Sequence, residues 1–333
     1  MADASLIGQP FAEVRSGLDG RSLSAMELAE AYLERIEPLP QLNAYRYVDD
    51  EGALGRAAQA DRELDAGELL GPLHGIPIGI KESFGVEGLP FSTGCLAFED
   101  LHALADADVA ALARAGGAVI LGVQRMSENA MGLMVRDGAR ATGANPRHPD
   151  FAPGGSSSGS AAATATGLCA LALGSDGGGP VRNSAAASGV IGFKPTEHRL
   201  PGGGCYPWTV TMLTAGFLAR DLDAIAAGST SWPRPRTRQT RRGRLASRSS
   251  VPRISGELDE AVAAGFSGAT SALAAAGTQL VEAPRLDLDT IPTWLARMRE
   301  FDSCTRAVGH ATRGGLHGGH ARHTVVSRVD RRG

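Results

Sequence analysis

Apolar positions along this chain follow two rhythms, and their alternation predicts an α/β protein. Ser24-Ala25-Met26-Glu27 has capping-box spacing, and Ala29, Leu33 and Ile36 follow at helical intervals until Pro38 interrupts them. A second, alanine-rich helix is predicted from about Leu54 to Leu64. Gly75-Ile76-Pro77-Ile78-Gly79-Ile80 is instead a short continuous apolar run bounded by glycine, the pattern of a buried strand, and Lys81 stands at its C-terminal end. Ends of strands are where α/β proteins place chemistry. A helix near 107–115, a break at Gly116-Gly117 and the run Ala118-Val119-Ile120-Leu121-Gly122 read as a helix, a turn and a second buried strand.

Two glycine-rich loops then each open a helix. Residues 154–160 (Gly-Gly-Ser-Ser-Ser-Gly-Ser) lead into an alanine- and threonine-rich helix, and a strand at 168–173 leads into Gly174-Ser175-Asp176-Gly177-Gly178-Gly179-Pro180 and a helix through Ala187. Neither loop has the lysine of a P-loop or a G-x-G-x-x-G after a strand, so nucleotide binding is not supported. Helical order returns with Leu258, Val262, Phe266 and Leu273 on one face, followed by strand-like Gln279-Leu280-Val281-Glu282.

With 333 residues, 43% of them hydrophobic, the chain can bury a large core as one α/β domain or two smaller ones. The net charge of -3 gives no global field to recruit nucleic acid or an anionic membrane. Cys95, Cys169, Cys205 and Cys304 contain no C-x-x-C pair, so neither a zinc site nor a redox dithiol is expected. Few cysteines, no membrane-length apolar run and no signal-peptide pattern predict a reduced, cytoplasmic protein. The local exception in charge is an Arg/Pro-rich stretch at 231–255, with Arg234, Arg236, Arg238, Arg241, Arg242, Arg244, Arg248 and Arg253. Lacking apolar periodicity, it reads as a linker or loop. Binding of RNA through Arg234 to Arg253 is the sharper alternative, but no nucleic-acid motif accompanies it. Residues 303–333 read as a disordered tail, in which a metal site at His317, His320 and His323 is the alternative to adventitious binding or simple disorder.

Arginine supplies 31 of the 33 basic residues, and the only lysines are Lys81 and Lys194. A position that kept lysine amid such substitution is a candidate for chemistry that arginine cannot do, namely losing a proton.

Gly-Pro-Leu-His-Gly-Ile-Pro-Ile-Gly-Ile-Lys-Glu from Gly71 resembles the lysine segment of the amidase signature family. Asn145-Pro146, Pro153 to Ser160, Gly174 to Arg182, and Gly189 to Thr196 resemble four further stretches of that family in the same order. The resemblance covers roughly residues 5–225, with a fainter echo at 256–300. It implies a large mixed β-sheet flanked by helices, C-terminally shortened, with residues 1–230 as the core and 256–302 as the remnant of the same domain. It also implies hydrolysis of carboxylic amide C–N bonds through an acyl-serine intermediate, without cofactor or metal. By the same resemblance Lys81 is the general base and Ser156, preceded by a cis peptide, is the bridging serine. Gly177, Gly178 and Gly179 are candidate oxyanion donors, and Lys194 is structural.

The sequence departs from that family where its nucleophilic serine belongs, 24 residues beyond Ser156, because position 180 is proline. Proline has neither a hydroxyl to attack a carbonyl nor an N–H to donate to an oxyanion, although it suits the first position of a helix. The family's threonine is also Gly177 here, and its R-x-P-A is Arg182-Asn183-Ser184-Ala185. The expectation is an impaired or inactive amidase; the alternatives are weak activity through another serine, such as Ser175 or Ser184, or a binding or regulatory pseudoenzyme. The ligand expected is a small-molecule amide, and the protein partner expected is a second copy or an active homologue. Limited proteolysis should cut first within 231–255 and beyond about Asp302, where no apolar face exists to dock. Resistance equal to that of residues 70–200 contradicts the linker and tail assignments.

Overall fold

A parallel strand that is neighboured on both sides and covered above and below should be apolar along most of its length, and the middle strands here are, with polar residues only at their C-terminal ends. The computed structural model describes residues 4–132, 141–206, 212–231, 246–249 and 259–282. Strands β1 (Tyr45–Val48), β2 (Pro77–Lys81), β3 (Val119–Gln124), β4 (Leu171–Asp176), β5 (Ile191–Phe193) and β6 (Thr214–Ala219) form one mixed sheet in the order β1-β3-β2-β4-β6-β5. Strand β2 runs parallel to both β3 and β4, while the β1–β3, β4–β6 and β5–β6 pairs are antiparallel. Every residue of β2, β3, β4 and β6 is buried. Burial of a side chain such as Ile78 or Ile80 is worth about 1.5–3 kcal/mol, so these strands anchor the core.

Helices α1 (Phe11–Asp19), α2 (Ala25–Ile36), α3 (Asp50–Asp65), α4 (Asp108–Ala115), α5 (Ser158–Thr166), α6 (Pro180–Ser188) and α7 (Leu222–Thr230) flank the sheet. Helix α2 starts with the anticipated capping box: Ser24 Oγ accepts the Glu27 N–H at 3.0 Å and Glu27 Oε2 accepts the Ser24 N–H at 2.9 Å. Asp61 of α3 adds a second cap, its carboxylate accepting the N–H groups of Ala25 and Met26. Helix α5 has no polar face because Ser158 through Thr164 are all buried. A side chain on its Gly159 would lie 2.4 Å from the Ala44 carbonyl oxygen, which explains a helix made of glycine, serine and alanine.

His74 of the lysine segment is also a packing residue. Its Nε2 lies 2.8 Å from Glu63 Oε2, and its Nδ1 accepts the Leu70 N–H at 3.1 Å. Arg56 grips the same carboxylate through two hydrogen bonds and pulls Glu63 down to about 2. The network ties α3 to the entry of β2.

Two readings change. The stretch 231–255 contains strand β7 (Ala246–Ser249), which pairs in parallel with β8 (Gln279–Glu282); backbone pairing supplies order that apolar periodicity did not signal. Helix α8 (Glu260–Ala275) exists, but its Val262, Phe266 and Leu273 are exposed, so the predicted apolar face is not part of the core. Most of the Arg/Pro-rich stretch and the whole 303–333 tail, with His317, His320 and His323, lie outside the described residues. Among the described residues no helix is long and apolar enough to cross a membrane, and no cluster of His, Cys, Asp and Glu could hold a metal ion.

Gly122, in the middle of β3, has φ +145°, and a Cβ there would sit 2.2 Å from the Tyr47 carbonyl oxygen. Gly122→Ala should therefore lower stability by about 1–3 kcal/mol. Gly55→Ala, inside α3 with open space around the added carbon, should raise it by roughly 0.5–1 kcal/mol. Denaturant titration of the two variants tests the opposite signs.

Candidate active site

The parallel pairing of β2 with β4 sets Ile80 opposite Leu173, so the two strands end together. Lys81 closes β2, Ser175 lies one residue before the end of β4, and both are buried. The Lys81 Nζ hydrogen bonds to Ser175 Oγ at 2.8 Å and, at the same distance, to Ser156 Oγ from the loop before α5. Ser83 extends the cluster, donating from its Oγ to Ser175 Oγ at 3.2 Å. Lys81, Ser156, Ser175 and Ser83 are each no more than 1% exposed.

Burial raises the free energy of an ammonium, and it brings the Lys81 amine from its usual range to about 7. Cys205 and then the Asp176 and Glu82 carboxylates act the other way, favouring the ammonium, but do not offset the loss of water. Glu82 is itself buried and pushed up by desolvation, while accepting from Ser92 Oγ and from the Met126 N–H. The neutral amine is thus within reach near pH 7.

The loop bearing Ser156 is positioned by α6. Asn183 Oδ1 accepts the Gly155 N–H and Asn183 Nδ2 donates to the Gly155 carbonyl, both at 3.0 Å. The Gly155–Ser156 peptide between that clasp and the lysine is cis. Ser157 Oγ donates to the Ser175 carbonyl oxygen at 3.3 Å, joining the loop to the end of β4.

The second glycine-rich loop is organised by one carboxylate. Asp176, fully buried, receives Arg182 Nε at 3.0 Å, Arg182 Nη2 at 2.9 Å and the Gly179 N–H at 2.9 Å. Gly179 has φ +120°, a conformation reserved to glycine, and precedes Pro180 at the first position of α6. Three glycines were expected to face a ligand oxygen. The Gly179 N–H is already engaged by Asp176, and Pro180 has none, so the turn can offer only those of half-buried Gly177 and exposed Gly178.

Lys194, away from the cluster, donates to the Pro195 carbonyl at 2.9 Å. Ser184, weighed as a substitute nucleophile, is buried and donates to Asn183 Oδ1 at 3.2 Å. Sequence reading missed Ser83 and the Asn183 clasp, and weighed Ser175 as a substitute nucleophile without placing it against Lys81. The available signal for that placement was strand pairing, because the C-terminal ends of neighbouring parallel strands lie side by side; Asn183 gave none, since its contacts cross between distant segments.

The family profile described as Amidase matches residues 27–306. A glutamyl-tRNA(Gln) amidotransferase subunit from Acidothermus cellulolyticus is 39% identical over 223 residues, which are 66% of this chain and 44% of that protein. The corresponding protein of Aromatoleum aromaticum is 43% identical over 192 residues, 57% of this chain and 39% of that one. The chain thus spans less than half the length of these curated relatives. Native peptide amidase from Stenotrophomonas maltophilia superposes with a TM-score of 0.63 at 33% identity, over 67% of this chain and 47% of the other. A bacterial aryl acylamidase of the amidase signature enzymes matches in fold alone, with a TM-score of 0.80 at 22% identity over 94% of this chain and 68% of its own. Agreement of profile, relatives and fold over most of its described residues places this chain in the amidase family.

Proposed function

We propose that this chain is an amidase-family protein whose Lys81 and Ser156 are the base and proton relay for hydrolysis of carboxylic amides, and whose acyl-serine step is lost because Pro180 stands at the nucleophile position. The observation that carries this reading is the buried Lys81 amine, brought down to about 7 and hydrogen bonded to Ser156 Oγ at 2.8 Å. A neutral amine there accepts a proton through the serine hydroxyl, which arginine at the same position would not do. The ligand is a small amide, the class named for the peptide amidase that shares this fold. A second copy or an active homologue is the protein partner in this reading, and no cofactor enters it.

Removing the nucleophile of a serine hydrolase costs about 10⁶ in kcat, and position 180 loses an oxyanion donor as well. A fluorophosphonate probe followed by mass spectrometry should therefore label no serine in the wild-type chain. Pro180→Ser should become labelled at residue 180, and a label on Ser175, Ser184 or any serine at 156–160 in the wild type overturns the proposal.

The lowered Lys81 pKa also predicts a pH dependence of stability. Between about 7 and the unfolded lysine value near 10.4, the unfolded chain binds one more proton than the folded chain, so raising the pH favours folding by up to about 1.4 kcal/mol per unit. Below about 7 both states are protonated and the dependence vanishes. Denaturant titrations from pH 7 to 8.5 should show the wild type gaining stability relative to Lys81→Met. Parallel curves for the two proteins would place the lysine pKa in its ordinary range.

A further inference from the structure

The two hydroxyls that meet the Lys81 amine are not equivalent. Ser175 Oγ is engaged on both sides, by Lys81 Nζ at 2.8 Å and by the Ser83 hydroxyl at 3.2 Å. Ser156 Oγ is 99% removed from solvent with its residue, yet among the described residues it makes a single hydrogen bond, to Lys81 Nζ at 2.8 Å. A hydroxyl donates once and accepts twice, so Ser156 can give its proton to a neutral Lys81 amine and still accept one from another molecule. The open side of the cluster is therefore at Ser156.

The backbone around that hydroxyl is held from two directions. Asn183 clasps the N–H and carbonyl of Gly155, and the Ser127 N–H donates to the Ser156 carbonyl at 3.2 Å. Asn183 stands three residues along α6 from Pro180, so the same clasp brings the first turn of α6 against the serine loop. What that turn begins with is a half-buried ring that has no proton to give. Ser184, the next hydroxyl of α6, donates to Asn183 Oδ1 instead. Base and relay are thus assembled, while no other side-chain hydroxyl or thiol among the described residues is hydrogen bonded to Ser156.

We propose that this site hydrolyses small carboxylic esters and amides by direct attack of water, in one displacement without an acyl-enzyme, with Lys81 acting through Ser156 as the base. The proposal rests on the reading of Lys81 and Ser156 as base and relay, and goes beyond it by naming the nucleophile they activate. The water oxygen forms a bond to the carbonyl carbon while its proton passes to Ser156 Oγ and the Ser156 proton passes to the Lys81 amine. The N–H groups of Gly177 and Gly178, the two of their turn that Asp176 does not engage, take the charge that develops on the carbonyl oxygen. Collapse of the tetrahedral adduct breaks the C–N or C–O bond, and the leaving group takes a proton back from the Lys81 ammonium through Ser156. The products are the carboxylic acid and the amine or alcohol, and no bond to the protein forms at any stage.

A positioned general base is worth about 10²–10⁴ in rate, well short of the roughly 10⁶ that a serine hydrolase loses with its nucleophile. Turnover by this route is accordingly slow, and it is measurable on esters whose leaving groups depart readily. Because the water must give up its proton as it attacks, the rate follows the neutral form of Lys81: it rises through about pH 7 and then levels.

The test is hydrolysis of p-nitrophenyl acetate and of phenyl acetate by the full chain in the presence of methanol, with the protein-free rates subtracted. Lys81→Met should lower the protein-dependent rate by about 10²-fold or more, and Ser156→Ala, which keeps the amine but removes the relay, should do the same. The deciding measurement is the ratio of methyl acetate to acetic acid. When water and methanol attack the ester itself, the leaving group is still attached as the nucleophile is chosen, so the ratio should differ between the two esters; a shared acyl-enzyme gives one ratio for both. That comparison uses the unaltered chain and decides the matter even if either variant fails to fold. Equal ratios with an acetylated serine found by mass spectrometry overturn both this proposal and the assignment of a lost acyl-serine step. Equal ratios with the acetyl group on any other residue, a rate indifferent to Lys81→Met and Ser156→Ala, or no hydrolysis above the protein-free rate overturns this proposal alone, since the lowered Lys81 pKa is read separately from stability between pH 7 and 8.5.

Discussion

An amine with no access to water is held between two serine hydroxyls at the ends of two parallel strands, and much of the surrounding structure is there to keep it so. Burial of Lys81 disfavours its charge, and without the Ser156 and Ser175 oxygens its N–H groups would be unsatisfied in the core. Each serine must therefore be delivered to it with little freedom. The β2–β4 register delivers Ser175, and the Asn183 clasp on Gly155 delivers Ser156. Helix α5, packed from glycine, serine and alanine, lets the serine loop approach the sheet more closely than larger residues would permit.

Electrostatics and backbone geometry are coupled through Asp176. Its carboxylate neutralises Arg182, closes the glycine turn through the Gly179 N–H, and favours the protonated form of Lys81. One buried charge thus sets both the shape of the loop and part of the balance that leaves the amine neutral near pH 7. A second buried carboxylate, Glu82, has its hydrogen bonds from Ser92 and Met126 and acts on the lysine through charge alone.

The central elements were legible from sequence because their signals are local. Glycine-bounded isoleucine runs announce β2, the capping box announces α2, and glycine-rich loops announce the starts of α5 and α6. The edge strands β1 and β5, half-exposed and short, carry no comparable pattern, and β6 lies beyond a stretch with no clear period. The site divides similarly. Lys81 and Ser156 stand out by composition and motif, but the contacts of Ser83 and Asn183 join chain segments 92 and 28 residues apart, which only the folded backbone brings together. That the Gly179 N–H is engaged by Asp176 was not legible, because the orientation of an N–H is a property of the closed turn, not of the residue type.

The first turn of α6 is held by Asp176, Arg182, Gly179 and Asn183, and none of these bonds uses the side chain of residue 180. Proline there meets the backbone requirements of a helix start without adding or removing a fold-determining contact. The bonds that close the turn are consequently indifferent to whether residue 180 carries a ring or a hydroxyl, so an exchange between the two leaves each of them in place.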